Sequence, residues 1–161
     1  MKPKKIKENV YWLGATDAKL CQQIVSEAHD AIIVADREGI IRLWNTGAET
    51  IFGFSPAAAL GQSLHLIIPE KLRERHDQGY QQVMQSGRSK YATELLAVPA
   101  IKKDGSRISV EFTMIVLRDG QDEILGAAAI IRDVTARWEK DRALQRRLAA
   151  LEAQLAQYLQ A

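Results

Sequence analysis

The sequence predicts an α+β fold, a five-stranded antiparallel sheet with short helices on one face. Three observations predict it. Two apolar runs, Ala31–Asp36 and Ile40–Trp44, are joined by Arg37-Glu38-Gly39, a hairpin pattern in which Gly39 supplies the turn. Three further strand-like runs cover about residues 91–101, 107–118 and 123–133, with Lys103-Asp104-Gly105 and Asp119-Gly120 as the turns between them. Helical segments fill the stretch between the two groups. Pairing the two groups gives one sheet with its helices on one side. Its curved, covered face is a good place for a ligand.

The elements follow in order. Residues 1–17 form a basic lead-in with an apolar patch at Val10-Tyr11-Trp12-Leu13. Their wording resembles the opening of flavodiiron proteins, but none of that family's metal-ligand pattern follows. Asp17 caps a helix running to about Ala28, with Leu20, Ile24 and Ala28 on one face. After the hairpin, Gly47–Phe52 forms a short helix, and Ser55 caps another beginning at Pro56. Pro69–Ser86 is a longer helix framed by Pro69 at its first position and Gly87 past its end. Leu72, His76, Tyr80 and Met84 recur every fourth residue and form one stripe along it. In the following strands, Val110, Phe112 and Met114 alternate with Glu111 and Thr113 and are expected to face inward.

From about Ala136 to Tyr158 the chain reads as one helix. Leu144, Leu148, Leu151, Leu155 and Tyr158 alternate spacings of four and three, the apolar seam of a coiled coil. Arg146, Arg147 and Glu152 flank the seam. The expectation is a parallel homodimer; the alternative is an amphipathic helix folded back on its own sheet. The domain boundaries are therefore 1–17 for the lead-in, 18–135 for the sheet-and-helix domain and 136–161 for the terminal helix.

The bulk properties narrow the function. A chain of 161 residues fits one domain with an appendage. A net charge of +2 is too small to bind nucleic acid by charge alone. No apolar run approaches the roughly 20 residues that span a bilayer, and Met1–Lys7 lacks the apolar stretch of a signal peptide. A cytoplasmic location is expected. Cys21 is the only cysteine, so an intrachain disulfide and a cysteine zinc site are excluded. The sequence has no phosphate-cradling glycine loop, metal-hydrolase histidine pair or nucleophile elbow, so the chain is expected not to be an enzyme.

Several motifs in order resemble the PAS family of sensor domains. Asp30–Ser55 resembles that family's first two strands and first helix, and Lys102–Gly120 resembles its central hairpin. Ala128–Trp138 resembles its last strand, ending at the Asp133-Val134-Thr135 junction that leads into a signalling helix. The resemblance spans about residues 20–138. It implies the PAS fold and a role in sensing and relaying a signal.

Within it, Arg73–Tyr80 (RERHDQGY) is similar to the helix of the oxygen-sensing haem PAS domains of the FixL type. The likeness implies haem b held by iron bound to His76, which is flanked by Arg75 and Asp77 as in that family. A neutral imidazole suits iron, and the family's distal wall falls here on Leu96, Phe112, Met114 and Ala129. Ala129 is small enough to let the macrocycle approach, and Met114 offers a thioether as a sixth ligand. Leu96 stands where the FixL type carries an arginine that reaches bound oxygen. Oxygen would therefore be held less well there relative to carbon monoxide or nitric oxide. Gln78-Gly79 replaces a single residue, which displaces Tyr80 by one place. His65 and His29 read as structural residues rather than ligands. In the photoactive flavin branch, Leu64 stands where the reactive cysteine belongs, which leaves noncovalent flavin stacked on Trp44 and Phe112 as the lesser cofactor. The alternative is a cofactor-free module that dimerises and binds a signalling partner.

Overall fold

The computed structural model describes residues 4–7, 10–12, 17–89 and 96–160. The lead-in holds a small antiparallel pair, β1 (Lys4–Lys7) with β2 (Val10–Trp12). The charged Lys-Lys-Ile-Lys run hides this pairing from a periodicity argument. Helix α1 (Asp17–Glu27) follows, with Leu20 and Ile24 on its exposed side.

The main sheet contains β3 (Ala31–Asp36), β4 (Ile41–Trp44), β5 (Leu96–Ile101), β6 (Arg107–Arg118) and β7 (Ile124–Asp133). Their spatial order is β4-β3-β7-β6-β5, with every neighbour antiparallel. The expected five-stranded sheet is present, and the β3–β7 pairing joins its two halves. Of the predicted strand over 91–101, residues 96–101 form β5, and its earlier part lies outside the described residues. The strands β3 and β7 come very close at one end. Gly126 has φ +156°, and a Cβ there would lie 2.0 Å from the Ala35 carbonyl oxygen.

Between β4 and β5 run α2 (Thr46–Phe52), α3 (Pro56–Ala59), a 3₁₀ turn (Leu64–Leu66) and α4 (Glu70–Ser86). Four helix starts differ from expectation. Asp17 is the first residue of α1 and does not precede it as a cap. Helix α2 begins at Thr46, one residue before Gly47, behind an Asn45 cap. The Ser55 side chain makes no capping bond, so Pro56 at the first helical position starts α3 by its fixed backbone. Pro69 precedes α4 as its cap and does not begin it. At the other end, Gly87 takes a left-handed conformation (φ 64°) and its N–H bonds the Val83 carbonyl, as the sequence implied.

Two buried clusters meet on the inner face of the sheet. The larger gathers Ile33, Ile41, Trp44, Phe52, Val110 and Ile131. The smaller places Tyr80, Val83 and Met84 of α4 on Ala35, Met114 and Ala127. Val110 and Met114 face inward as their alternation required, and Phe112 packs against both clusters.

Asn45 ties the first third of the domain together. It caps α2 by accepting from Ala48 N and also accepts from Ile32 N. Its amide donates to the carbonyls of Val25, Ala28 and Asp30. Beside it α2 sits so close to the start of β3 that a Cβ on Gly47 would lie 2.3 Å from the Asp30 carbonyl oxygen. Asp30 also takes a two-pronged ion pair from Arg132 of β7, which holds its carboxyl below the usual range.

Helix α5 (Thr135–Gln160) leaves the sheet directly from β7. It does not fold back: Leu144, Leu148, Leu151 and Leu155 are each more than half exposed in the single chain.

Candidate functional site

The residues worth weighing stand on α4, on the 3₁₀ turn and at the β7–α5 junction. Helix α4 lies over the sheet because Tyr80, Val83 and Met84 share its inner face at helical spacing. Tyr80 fixes its height. The phenol donates to the Asp36 carbonyl at 2.6 Å and lies 3.2 Å from that of Ala35, both on β3. Burial, with the Asp36 charge adding to it, pushes the Tyr80 hydroxyl up to about 12.

This buried phenol gives an alkaline signature. The unfolded chain has a tyrosine near 10, so the fold favours the neutral form. The contribution is fully present below about pH 10 and is lost as pH rises towards about 12. The wild type is expected to lose roughly 2 kcal/mol across that interval beyond what Tyr80→Phe loses. Urea midpoints at pH 7, 10 and 12 measure it; parallel losses in the two proteins would refute the assignment.

His76 lies one turn before Tyr80. Its ring stacks on the phenol with centroids 5.8 Å apart and planes 21° from parallel. Its Nδ1 lies 3.2 Å from Asp77 Oδ1. His65, on the 3₁₀ turn, reaches the same carboxylate, with Nε2 at 2.8 Å from Oδ1 and 3.0 Å from Oδ2. Hydrogen bonding to His65 holds the Asp77 carboxyl below its usual range; burial opposes this and His76 adds to it. These side chains line a cleft of about 200 Å³ together with Arg37–Gly39 of the β3–β4 turn, Ser63, Leu64, Tyr80 and Gln81.

The predicted distal residues stand elsewhere. Leu96 pairs with Phe112 across β5–β6, and Met114 pairs with Ala129 across β6–β7. Met114 is buried against the cluster of Tyr80, Val83 and Met84, so side chains fill the space between α4 and β6. The cleft beside His76 includes none of Phe112, Met114 and Ala129. At about 200 Å³ it is also smaller than the roughly 300 Å³ at the low end for organic ligands. In this closed arrangement the residues do not fit haem. Trp44, considered for flavin stacking, packs on Phe52 at 5.7 Å and donates to the Phe54 carbonyl in the core. His29 is exposed, as its structural reading allowed.

The junction residues are held tightly. Thr135 Oγ1 donates to Asp133 Oδ1 at 2.6 Å and accepts from Ser109 N of β6 at 2.9 Å. Val134 N donates to Ser109 O, and Arg137 in the first turn of α5 pairs with Glu111 of β6. The start of α5 is thus fastened to the central strands.

Sequence reasoning placed His76 and the junction but missed the His65–Asp77 contact and the anchoring role of Tyr80. His65 and Asp77 are twelve positions apart in different elements, where no helical or strand period links them.

The comparisons agree with this architecture. The family model described as PAS fold matches residues 19–134. An uncharacterized protein of Azorhizobium caulinodans is 35% identical over 118 residues, 73% of this chain and 16% of that protein. The sensor protein FixL of Bradyrhizobium diazoefficiens is 45% identical over 56 residues, 35% of this chain and 11% of FixL. The chain therefore spans less than a fifth of either relative. Among solved structures, a PAS domain from Colwellia psychrerythraea superposes with a TM-score of 0.66 at 24% identity, covering 74% of this chain and 98% of that one. The chain belongs to the PAS family.

Proposed function

We propose that this chain is a sensory relay unit in signal transduction, whose input acts at the α4 side of the sheet and whose output leaves through α5. The observation that carries this reading is the long apolar stripe of α5, exposed along its length and fastened at its base to β6 and β7. Such a stripe is satisfied by a second copy in a parallel homodimer. Likeness to a named sensor protein over 56 residues supports the signalling role. The mass in solution of the full chain, against that of a Leu148→Glu/Leu151→Glu variant, tests it: a dimer for the first and a monomer for the second.

Haem b at His76 is a second reading, favoured by the likeness of RERHDQGY to haem-binding PAS helices. The imidazole is only 30% exposed and its Nδ1 is steadied by Asp77, an arrangement common to metal-bound histidines. Bound there, haem would supply a gas- or redox-sensitive iron. It requires α4 to lift from β6, because Tyr80 and Met84 occupy the space. Haem added to the purified full chain should then give a sharp Soret band that His76→Ala removes. Absence of specific uptake by the wild type ends this reading and leaves the cofactor-free module.

A further inference from the structure

Two histidines from separate elements meet at one carboxylate in the cleft beside the β3–β4 turn. One ligand atom from each of His65, His76 and Asp77 lies within 4.8 Å of the other two. Among the described residues this is the one grouping of three such side chains. Two edges, His65 Nε2 and His76 Nδ1 to Asp77 Oδ1, are hydrogen bonds of 2.8 Å and 3.2 Å, slightly shorter than the spacing around a tetrahedral ion. Bonds of about 2.0–2.1 Å place neighbouring ligands roughly 3.3 Å apart.

We infer that His65, His76 and Asp77 form a binding site for a divalent first-row transition ion of the zinc class. Two imidazoles and a carboxylate suit zinc, nickel or copper, whereas magnesium and calcium favour oxygen ligands throughout. The side chains are 36%, 30% and 47% exposed, so an ion enters from solvent and water completes its shell. Glu38 and Gln81 line the same cleft and offer oxygens for the open position. Arg37 also lines it, and its charge opposes a dication. The site is therefore weaker than a closed four-ligand one.

The ion would join what the chain otherwise holds only by hydrogen bonds. It would clamp the 3₁₀ turn to α4 and steady the His76 ring on Tyr80, whose hydroxyl bonds β3. Occupancy thus bears on the strand that pairs with β7. The site does not rest on the haem reading: the ion takes His76 through Nδ1, the nitrogen that the haem reading leaves to Asp77.

The test titrates Zn²⁺ alone into the full chain by calorimetry and uses Co²⁺ as a spectroscopic probe. One ion per chain is expected, with visible Co²⁺ bands unlike those of the hydrated ion. His65→Ala, His76→Ala and Asp77→Asn should each weaken Zn²⁺ by at least about 100-fold, since even outer-shell changes cost 10–100-fold. His29→Ala should leave it unchanged. His65→Gln keeps a hydrogen-bonding amide for Asp77 and guards against a variant that fails to fold; it too should lose the ion. Haem uptake depends on His76 and not on His65, so His65→Ala separates the two readings. No Zn²⁺ uptake by the wild type, a Co²⁺ spectrum identical to that of the hydrated ion, or wild-type affinity in a folded His65→Ala or His65→Gln protein overturns the inference.

Discussion

Asn45→Ala should cost about 3–5 kcal/mol of stability, close to the whole margin of a small domain. The side chain is buried; its oxygen accepts from two N–H groups, and its two amide hydrogens are shared among three carbonyls. Its removal strands the N–H groups of Ile32 and Ala48 and the carbonyls of Val25, Ala28 and Asp30. A buried group left unpaired costs about 1–3 kcal/mol, and loss of a helix cap about 1 kcal/mol. Water entering the gap recovers part of the sum. Thermal unfolding should drop by roughly 10–15 °C. Asn45→Asp should also be costly, since a carboxylate accepts the two N–H groups but cannot donate to the three carbonyls. A loss below about 1 kcal/mol in urea unfolding of Asn45→Ala would show that these bonds do not join α1 to the sheet.

Leu148→Glu/Leu151→Glu should turn the proposed dimer into a monomer without harming the domain. Both leucines are exposed in the single chain, 57% and 54%, so the folded monomer loses no packing. Glutamate is also a good helix former, which keeps α5 intact. In a parallel pair, four leucines leave the seam, each worth at least about 1.5 kcal/mol when buried. The roughly 6 kcal/mol lost is about a 10⁴-fold weaker dimer. Light scattering and the melting temperature together read the result: halved mass with unchanged melting. A variant that remains dimeric at the same concentration overturns the seam.

The fold was legible because its signals are local. The Arg37-Glu38-Gly39 hairpin, the turns at Lys103–Gly105 and Asp119-Gly120, and the alternation around Phe112 each declare a strand within a few residues. The leucine spacing of α5 is equally local, and the helix runs Thr135–Gln160 as its period implies. What escaped was long-range. Nothing near Asn45 announces that it will reach back twenty positions to Val25. Nothing near Gly126 announces that β3 will approach too closely for a side chain. The site divides the same way. His76 was visible on its helix, whereas its company of His65, Asp77 and the Tyr80 ring depends on how the turn settles against α4.

The fastening of α5 at Thr135 and Arg137 has a mechanical consequence. Twenty-six helical residues extend about 39 Å at 1.5 Å per residue. With its base pinned to β6 and its length free of the sheet, the helix is a long arm on a short pivot. A tilt of about 5° at Ser109–Thr135 carries the far end about 3 Å sideways. A strand displacement too small to disturb the packing around Met114 would therefore be magnified at Leu155 and Tyr158, where a neighbouring helix would feel it as a change of spacing.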